Sequence, residues 1–311
     1  MIRTYLKRIR ELPPFNYNHM ELEFANIKAF MPCHRRFNDY NNITRETIIG
    51  AIINNKVPDS YYTSSNQWTS IKQKIETFTD GLINTKNENT IRCIHMGGRK
   101  YNYDFQFIIN DNIQLKIEFK YNVSKLQSAP QFVSPMNPSR YMSSSYEQFY
   151  YDNYLPKLAL LGGLTIPSMD TYMNEIHFNK PPCMAGFQEL YYKGCNRSCK
   201  YNGDPNNIKF YKYANELDNE SRRLFIENND LDIKLLTHYL KNTQKDKIYM
   251  LYDGKQFHKE IVPLEEYQLT SYEKVPSKYK YIATSATGKK INILLRWKNG
   301  NGIAYPSFQI S

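Results

Sequence analysis

Hydrophobic and polar residues alternate most regularly between Tyr101 and Asn122. Tyr101, Tyr103, Phe105 and Phe107 interleave with Asn102, Asp104 and Gln106; beyond them Ile113, Leu115, Ile117, Phe119 and Tyr121 interleave with Gln114, Lys116, Glu118 and Lys120. A period of two predicts two half-buried strands. Asn110-Asp111-Asn112 reads as a three-residue hairpin loop, with Asn112 supplying its left-handed residue. An odd loop keeps both apolar sets on one side of the sheet. Ile109 then pairs with Ile113, and Asp104 falls opposite Glu118 with Cβ atoms about 5 Å apart. Two opposed carboxylates repel unless something positive lies between them, and Lys120 follows two residues along on the same face.

Helical spacing governs much of the remaining chain. Residues 1–12 set Ile2, Tyr5, Leu6 and Ile9 against Arg3, Lys7, Arg8 and Arg10, and Pro13-Pro14 ends that element. A helix is predicted from Met20 to Phe30, and another, capped by Thr44, carries Ile48, Ile49, Ile52 and Ile53. The strongest helix of the first half runs from Thr69 to Asn84 on the stripe Trp68, Ile71, Ile75, Phe78 and Leu82. A strand from Ile91 to Met96 and a turn at Gly97-Gly98-Arg99-Lys100 lead into the central pair. Beyond it, residues 122–141 form a polar crossing. Ser144 and Glu147 have capping-box spacing and open a helix towards Leu160 that Pro156 splits. Patterning weakens from Met169 to Pro205. It returns as helix from Asn219 to Lys241, broken near Asn228-Asn229, and as a core strand from Lys247 to Tyr252. Residues 279–310 read as β-structure, with Ile291–Trp297 and Ile303–Ile310 joined through Lys298 and Gly302. Four regions follow: a helical part (1–66), a hairpin-bearing core (67–165), an irregular cysteine-containing insertion (166–215), and a C-terminal helix and β-rich part (216–311). The class is α/β.

Charge narrows the function. The excess of 41 Lys and Arg over 30 Asp and Glu gives +11, which favours a polyanionic partner, nucleic acid first among them. The longest apolar run, Leu158 to Ile166, contains two glycines and falls short of a membrane span, and the N-terminus lacks a secretory hydrophobic segment. A soluble, intracellular protein is expected. Five unevenly spaced cysteines argue against a disulfide framework. Cys183, Cys195 and Cys199 cluster with His177, but Cys195 and Cys199 have no matching second pair, so structural zinc is not expected.

Asp104, followed in the next strand by Glu118-Phe119-Lys120, resembles the PD-(D/E)XK nuclease superfamily, with Tyr103 standing where that pattern has proline. Asp232-Ile233-Lys234 and Asp253-Gly254-Lys255 fit a similar string, but in a helical pattern and a turn. The resemblance implies a restriction-endonuclease-like core, a mixed β-sheet flanked by helices, completed by the C-terminal helix and the Lys247–Tyr252 strand and so split by the cysteine-containing insertion, with the helical N-terminal part and the β-rich C-terminal part as elaborations. It implies that Asp104, Glu118 and the Phe119 carbonyl hold Mg²⁺, or Mn²⁺, against a scissile phosphate, and that Lys120 orients the attacking water. In the superfamily a helix before these strands often adds a carboxylate. Glu76 is the first candidate and Glu46 its rival. The implied activity is Mg²⁺-dependent endonucleolytic cleavage of double-stranded DNA, restriction-type first. An exonuclease or structure-specific nuclease of the same superfamily, and a nucleic-acid-binding protein with an inert nuclease face, are the alternatives. Candidate DNA contacts are Arg99 and Lys100 before the hairpin, Lys125, Gln127, Gln131 and Arg140 after it, and Arg296 and Lys298 at the C-terminal hairpin. Cutting both strands needs two sites, so pairing of two copies into a homodimer is a further expectation.

Overall fold

A computed structural model describes residues 12–32, 38–83, 90–96, 101–126 and 137–311. The chain is mixed α/β and divides into two units, one formed by Met1–Ala129 with Lys245–Val262 and the other by Pro130–Gln244 with Pro263–Ser311. The strand beginning at Lys247 belongs to the first unit although it lies far along the chain. The basic segment at residues 1–11 lies outside the described residues.

The first unit opens with a short hairpin of β1 (Phe15–Tyr17) and β2 (Met20–Leu22). Its two-residue turn puts Asn18 and His19 at positive φ, the mirror-type turn that matches strand twist. The helix expected from Met20 to Phe30 is therefore β2 followed by a 3-10 segment, Phe24–Phe30. Three helices come next: α1 (Asn38–Ile53), α2 (Asp59–Ser64) and α3 (Asn66–Asp80). Thr44 does not cap α1 but lies within it, its hydroxyl donating back to the Tyr40 carbonyl at 3.1 Å. Ser65 caps α3 by accepting from the Gln67 and Trp68 N–H groups, so that helix starts one turn earlier than its apolar stripe suggests.

The sheet of this unit has the order β3-β4-β5-β6-β7, from β3 (Ile91–His95), β4 (Phe105–Ile109), β5 (Ile113–Tyr121), β6 (Lys247–Tyr252) and β7 (Phe257–Glu260). Only β5 and β6 are parallel neighbours. Every residue of β6 is buried, as expected of a strand covered on both faces. Phe105, Phe107, Ile117, Phe119, Ile248, Met250 and Tyr252 share one core with Ile48, Ile49 and Ile52 of α1 and Trp68, Ile71, Ile75 and Phe78 of α3. The apolar period of β4 and β5 thus fixes which side carries the helices and, by elimination, which carries Glu118.

The second unit holds α4 (Tyr146–Asn153), α5 (Leu155–Gly162), α6 (Met169–Glu175), α7 (Ala185–Gly194), α8 (Pro205–Asn228) and α9 (Ile233–Gln244). Pro156 sits in the first turn of α5, where its missing N–H costs nothing, and so divides α4 from α5. The segment expected to be irregular contains α6 and α7. Both are short, and only Tyr172 of α6 and Phe187, Tyr191 and Gly194 of α7 are buried, too few for a visible stripe. The unit ends in an antiparallel meander of β8 (Leu269–Val275), β9 (Lys280–Ser285), β10 (Lys290–Asn299) and β11 (Ala304–Ile310). Pro306 is accommodated because β11 is an edge strand. Between β10 and β11, Gly302 has φ 77° and packs where a Cβ would strike the Tyr150 ring, so no other residue fits there. No helix among the described residues is long and apolar enough to cross a membrane.

Candidate active site

The central hairpin forms in the register read from the sequence. Ile109 pairs with Ile113 and Phe105 with Ile117, which sets Asp104 opposite Glu118. Its left-handed residues are Asn110 and Asp111, at φ 49° and 58°, rather than Asn112. Asn and Asp all tolerate that conformation, so composition alone does not choose among the three. Asp104 precedes β4, yet its backbone is pinned on both sides: its N–H donates to the Ile117 carbonyl and its own carbonyl accepts from the Met96 N–H, each at 2.9 Å. Its carboxylate Oδ2 turns to accept the Phe119 N–H at 2.8 Å. That bond places the Asp104 carboxylate against the backbone of the Glu118-Phe119-Lys120 triplet.

Glu118 is buried, with 8% of its surface exposed. Lys120 Nζ donates to its Oε1, and Lys247 Nζ lies 3.1 Å from its Oε2. Lys247 is the first residue of β6 and also donates to the Asn102 carbonyl. The parallel register pairs Lys116 with Lys247 and Glu118 with Tyr249, so Lys247 sits on the same face as Glu118. A buried carboxylate is tolerated where cations pair with it. Two cations do so here.

Of the two candidate helical carboxylates, Glu46 is the one whose charge acts on the cluster. Burial, with the Asp104 and Glu118 charges beyond what Lys120 offsets, pushes the Glu46 carboxyl up to about 8. Its neighbour Arg45, fully buried, fixes this turn of α1: Nε donates to the Ala29 carbonyl at 2.6 Å and the guanidinium stacks 3.4 Å over the Tyr121 ring at the end of β5. Glu76 is not brought to the cluster. It pairs with Lys72 at 3.8 Å on an exposed face of α3 and its charge acts on Tyr62. A residue flanking a buried stripe faces either the sheet or solvent, and the α3 stripe turns Glu76 to solvent.

Burial and Glu118 push the Asp104 carboxyl up to about 6, against the Lys120 charge and the Phe119 N–H. Burial opposes the ionised form of Glu118, but Lys120 and Lys247 outweigh it and hold that carboxyl below its ordinary value. Burial likewise opposes the charged Lys120, and the Glu118 and Asp104 carboxylates overcome it, raising the ammonium above its usual range. Burial holds Lys247 below its usual range.

Among the described residues, no three His, Cys, Asp or Glu side chains stand together in position to share a metal ion. The donor chemistry at the hairpin nonetheless suits a hard cation: Asp104, Glu118 and Glu46 offer only oxygens, and Asp104 and Glu46, raised first by burial, also feel neighbouring negative charge that a divalent ion would relieve.

Of the other candidates, some lie within the described residues and some outside them. Arg99, Lys100, Gln127 and Gln131 belong to the latter. Lys125 is exposed beyond β5. In the second unit Arg140 is exposed in a 3-10 turn, Arg296 is half-buried and donates to Gln309 Oε1 at 2.9 Å, and the exposed Lys298 lies 5.1 Å from the Tyr305 ring. Cys183, Cys195 and Cys199 carry free thiols, and His177 Nε2 lies 3.0 Å from Glu147. The D-x-K strings behave as their local patterns suggest: Asp232 accepts the N–H groups of Lys234 and Leu235 at the start of α9, and Asp253 pairs with His258 across a turn.

The chain matches no protein-family model, and no curated protein or solved structure is significantly similar to it. The site must be judged on its own geometry.

The raised carboxyls have a measurable consequence. A carboxyl that titrates higher folded than unfolded binds extra protons in the folded state, so stability is greatest below its unfolded pKa and declines as pH rises through the folded value. For Glu46 that window runs from about 4.5 to about 8, and for Asp104 from about 3.8 to about 6. A cation that binds the ionised carboxylates offsets this loss. The protein alone is therefore expected to lose several degrees of melting temperature between pH 5.5 and pH 8.5, read by thermal denaturation, and Mg²⁺ supplied together with a short uncleavable duplex is expected to recover part of that loss.

Proposed function

We propose that the chain is a metal-dependent nuclease that hydrolyses phosphodiester bonds of DNA, double-stranded DNA first, with a restriction-endonuclease-like core formed by β3–β6 and the helices α1 and α3. The observation that carries the reading is the convergence of Asp104, Glu118, Lys120 and Glu46 on one end of a hairpin beside a parallel strand. The order of helices followed by three antiparallel strands, with β6 added parallel to the strand bearing Glu118, supports the core assignment. The net charge of +11 supports a polyanionic substrate.

Asp104, Glu118 and Glu46, with the Phe119 carbonyl, would hold Mg²⁺ or Mn²⁺. When bound, such an ion supplies charge stabilisation on the phosphoryl oxygens and a more acidic water. Lys120 orients the attacking water beside the phosphate and favours loss of its proton. Arg45 and the Asp104–Phe119 hydrogen bond hold the carboxylates in place, so little reorganisation is needed when substrate arrives. The carboxyl of Glu46 must ionise to serve as a ligand, so activity rises between pH 6 and pH 8.

The test is incubation of the purified protein with plasmid and linear DNA in Mg²⁺ or EDTA. Discrete Mg²⁺-dependent fragments are expected. Progressive loss from ends would reassign it as an exonuclease, and salt-sensitive retention of DNA without cleavage as a binding protein.

A further inference from the structure

Lys247 is the feature of the site that the nuclease pattern does not require. It arrives on β6, more than a hundred residues after the triplet, with only 4% of its surface exposed. Its ammonium is shared between Glu118 Oε2 and the Asn102 carbonyl. Glu118 does not need it for orientation, because Lys120 already holds Oε1 and burial in the strand fixes the side chain. With both lysines in place, each carboxylate oxygen of Glu118 already carries an ammonium partner.

We propose that Lys247 is a built-in counter-cation for Glu118, which makes divalent-cation binding at this site conditional on an anionic phosphodiester. The inference rests on the proposed metal-dependent reading of the site. A divalent ion is repelled by the Lys247 charge at the oxygen it would bind. A phosphodiester adds negative charge, and ion and substrate then enter together. Loss of metal-supporting contacts around a ligand ordinarily weakens metal binding. Removal of Lys247 has the opposite sign, because the group removed is itself a competing cation. Lys247 is thus a positioning residue that sets when the site loads.

The experiment measures Mn²⁺ binding by the full chain, without cleavage, from the electron paramagnetic resonance signal of free Mn²⁺. It compares wild type, Lys247→Gln, Lys247→Met and the charge-keeping Lys247→Arg, each alone and with a short phosphorothioate duplex. Without DNA, the neutral variants are expected to bind Mn²⁺ about tenfold more tightly than wild type, and Lys247→Arg like wild type. With the duplex, wild type gains about tenfold and the neutral variants gain less. Equal or weaker binding in the folded neutral variants would overturn the proposal. So would loss of fold in both neutral variants beside a folded Lys247→Arg, which would make the pair purely structural. Tighter binding by the neutral variants, with no form of the protein cutting DNA, would uphold the role of Lys247 and reject the nuclease reading. Absence of Mn²⁺ binding in every form would reject both.

Discussion

Lys120→Ala is expected to reduce DNA cleavage about 10³-fold while leaving the fold intact. The lysine is largely buried and paired with Glu118, and Lys247 remains to neutralise that carboxylate when Lys120 is removed. A buried charge is therefore not orphaned by the substitution, so stability should change little. What disappears is the cation that orients the water. Lys120→Arg restores charge but not the compact ammonium, and should recover only a small part of the rate. The measurement is single-turnover cleavage at saturating Mg²⁺, with thermal denaturation as the control on folding. Full activity in Lys120→Ala would remove this lysine from the chemistry.

The second large effect separates the two glutamates that the sequence left in competition. Glu46→Gln is expected to lower cleavage by about 10²-fold or more at pH 8 and to weaken the response to Mg²⁺, because it removes a ligand while preserving volume. The loss should shrink at pH 6, where Glu46 in wild type already carries a proton. Glu76→Gln should leave activity within twofold of wild type, since it touches only Lys72 and solvent. The ratio of the two variants at pH 8 is the informative quantity. A larger effect from Glu76 than from Glu46 would mean that α3, not α1, serves the site.

The contrast between those glutamates shows where the sequence stops being legible. The hairpin was readable because its period of two runs unbroken through both strands and its loop is odd, so register followed from local pattern alone. The strand at Lys247–Tyr252 is readable for a different reason, a short apolar run closed by the Asp253-Gly254 turn. That β6 lies parallel and adjacent to β5 is a non-local fact, and it is what delivers Lys247 to Glu118. A lysine at the head of an apolar run looks like a solvated strand end. The choice of Glu46 likewise depends on how α1 is anchored, through Arg45 to Ala29 and Tyr121, contacts between segments far apart in sequence. A signal was present in hindsight: a helix with Thr44, Arg45 and Thr47 all buried has polar business on its inner face. The helices α6 and α7 show no period in the sequence because each buries too few side chains.

The most direct test of the account is cleavage of plasmid DNA by wild type and Glu118→Gln, side by side in Mg²⁺ and in EDTA. Glutamine keeps the size of the side chain and one oxygen that accepts from Lys120 or Lys247, while its amide N–H groups face the other lysine and the charge that unites the cluster is lost, so thermal denaturation of the variant accompanies the assay as the control on folding. Mg²⁺-dependent cleavage by wild type, reduced at least about 10³-fold in a folded Glu118→Gln, is the predicted result. Cleavage that survives in Glu118→Gln, or that is indifferent to Mg²⁺, would contradict the assignment of this hairpin as the catalytic centre.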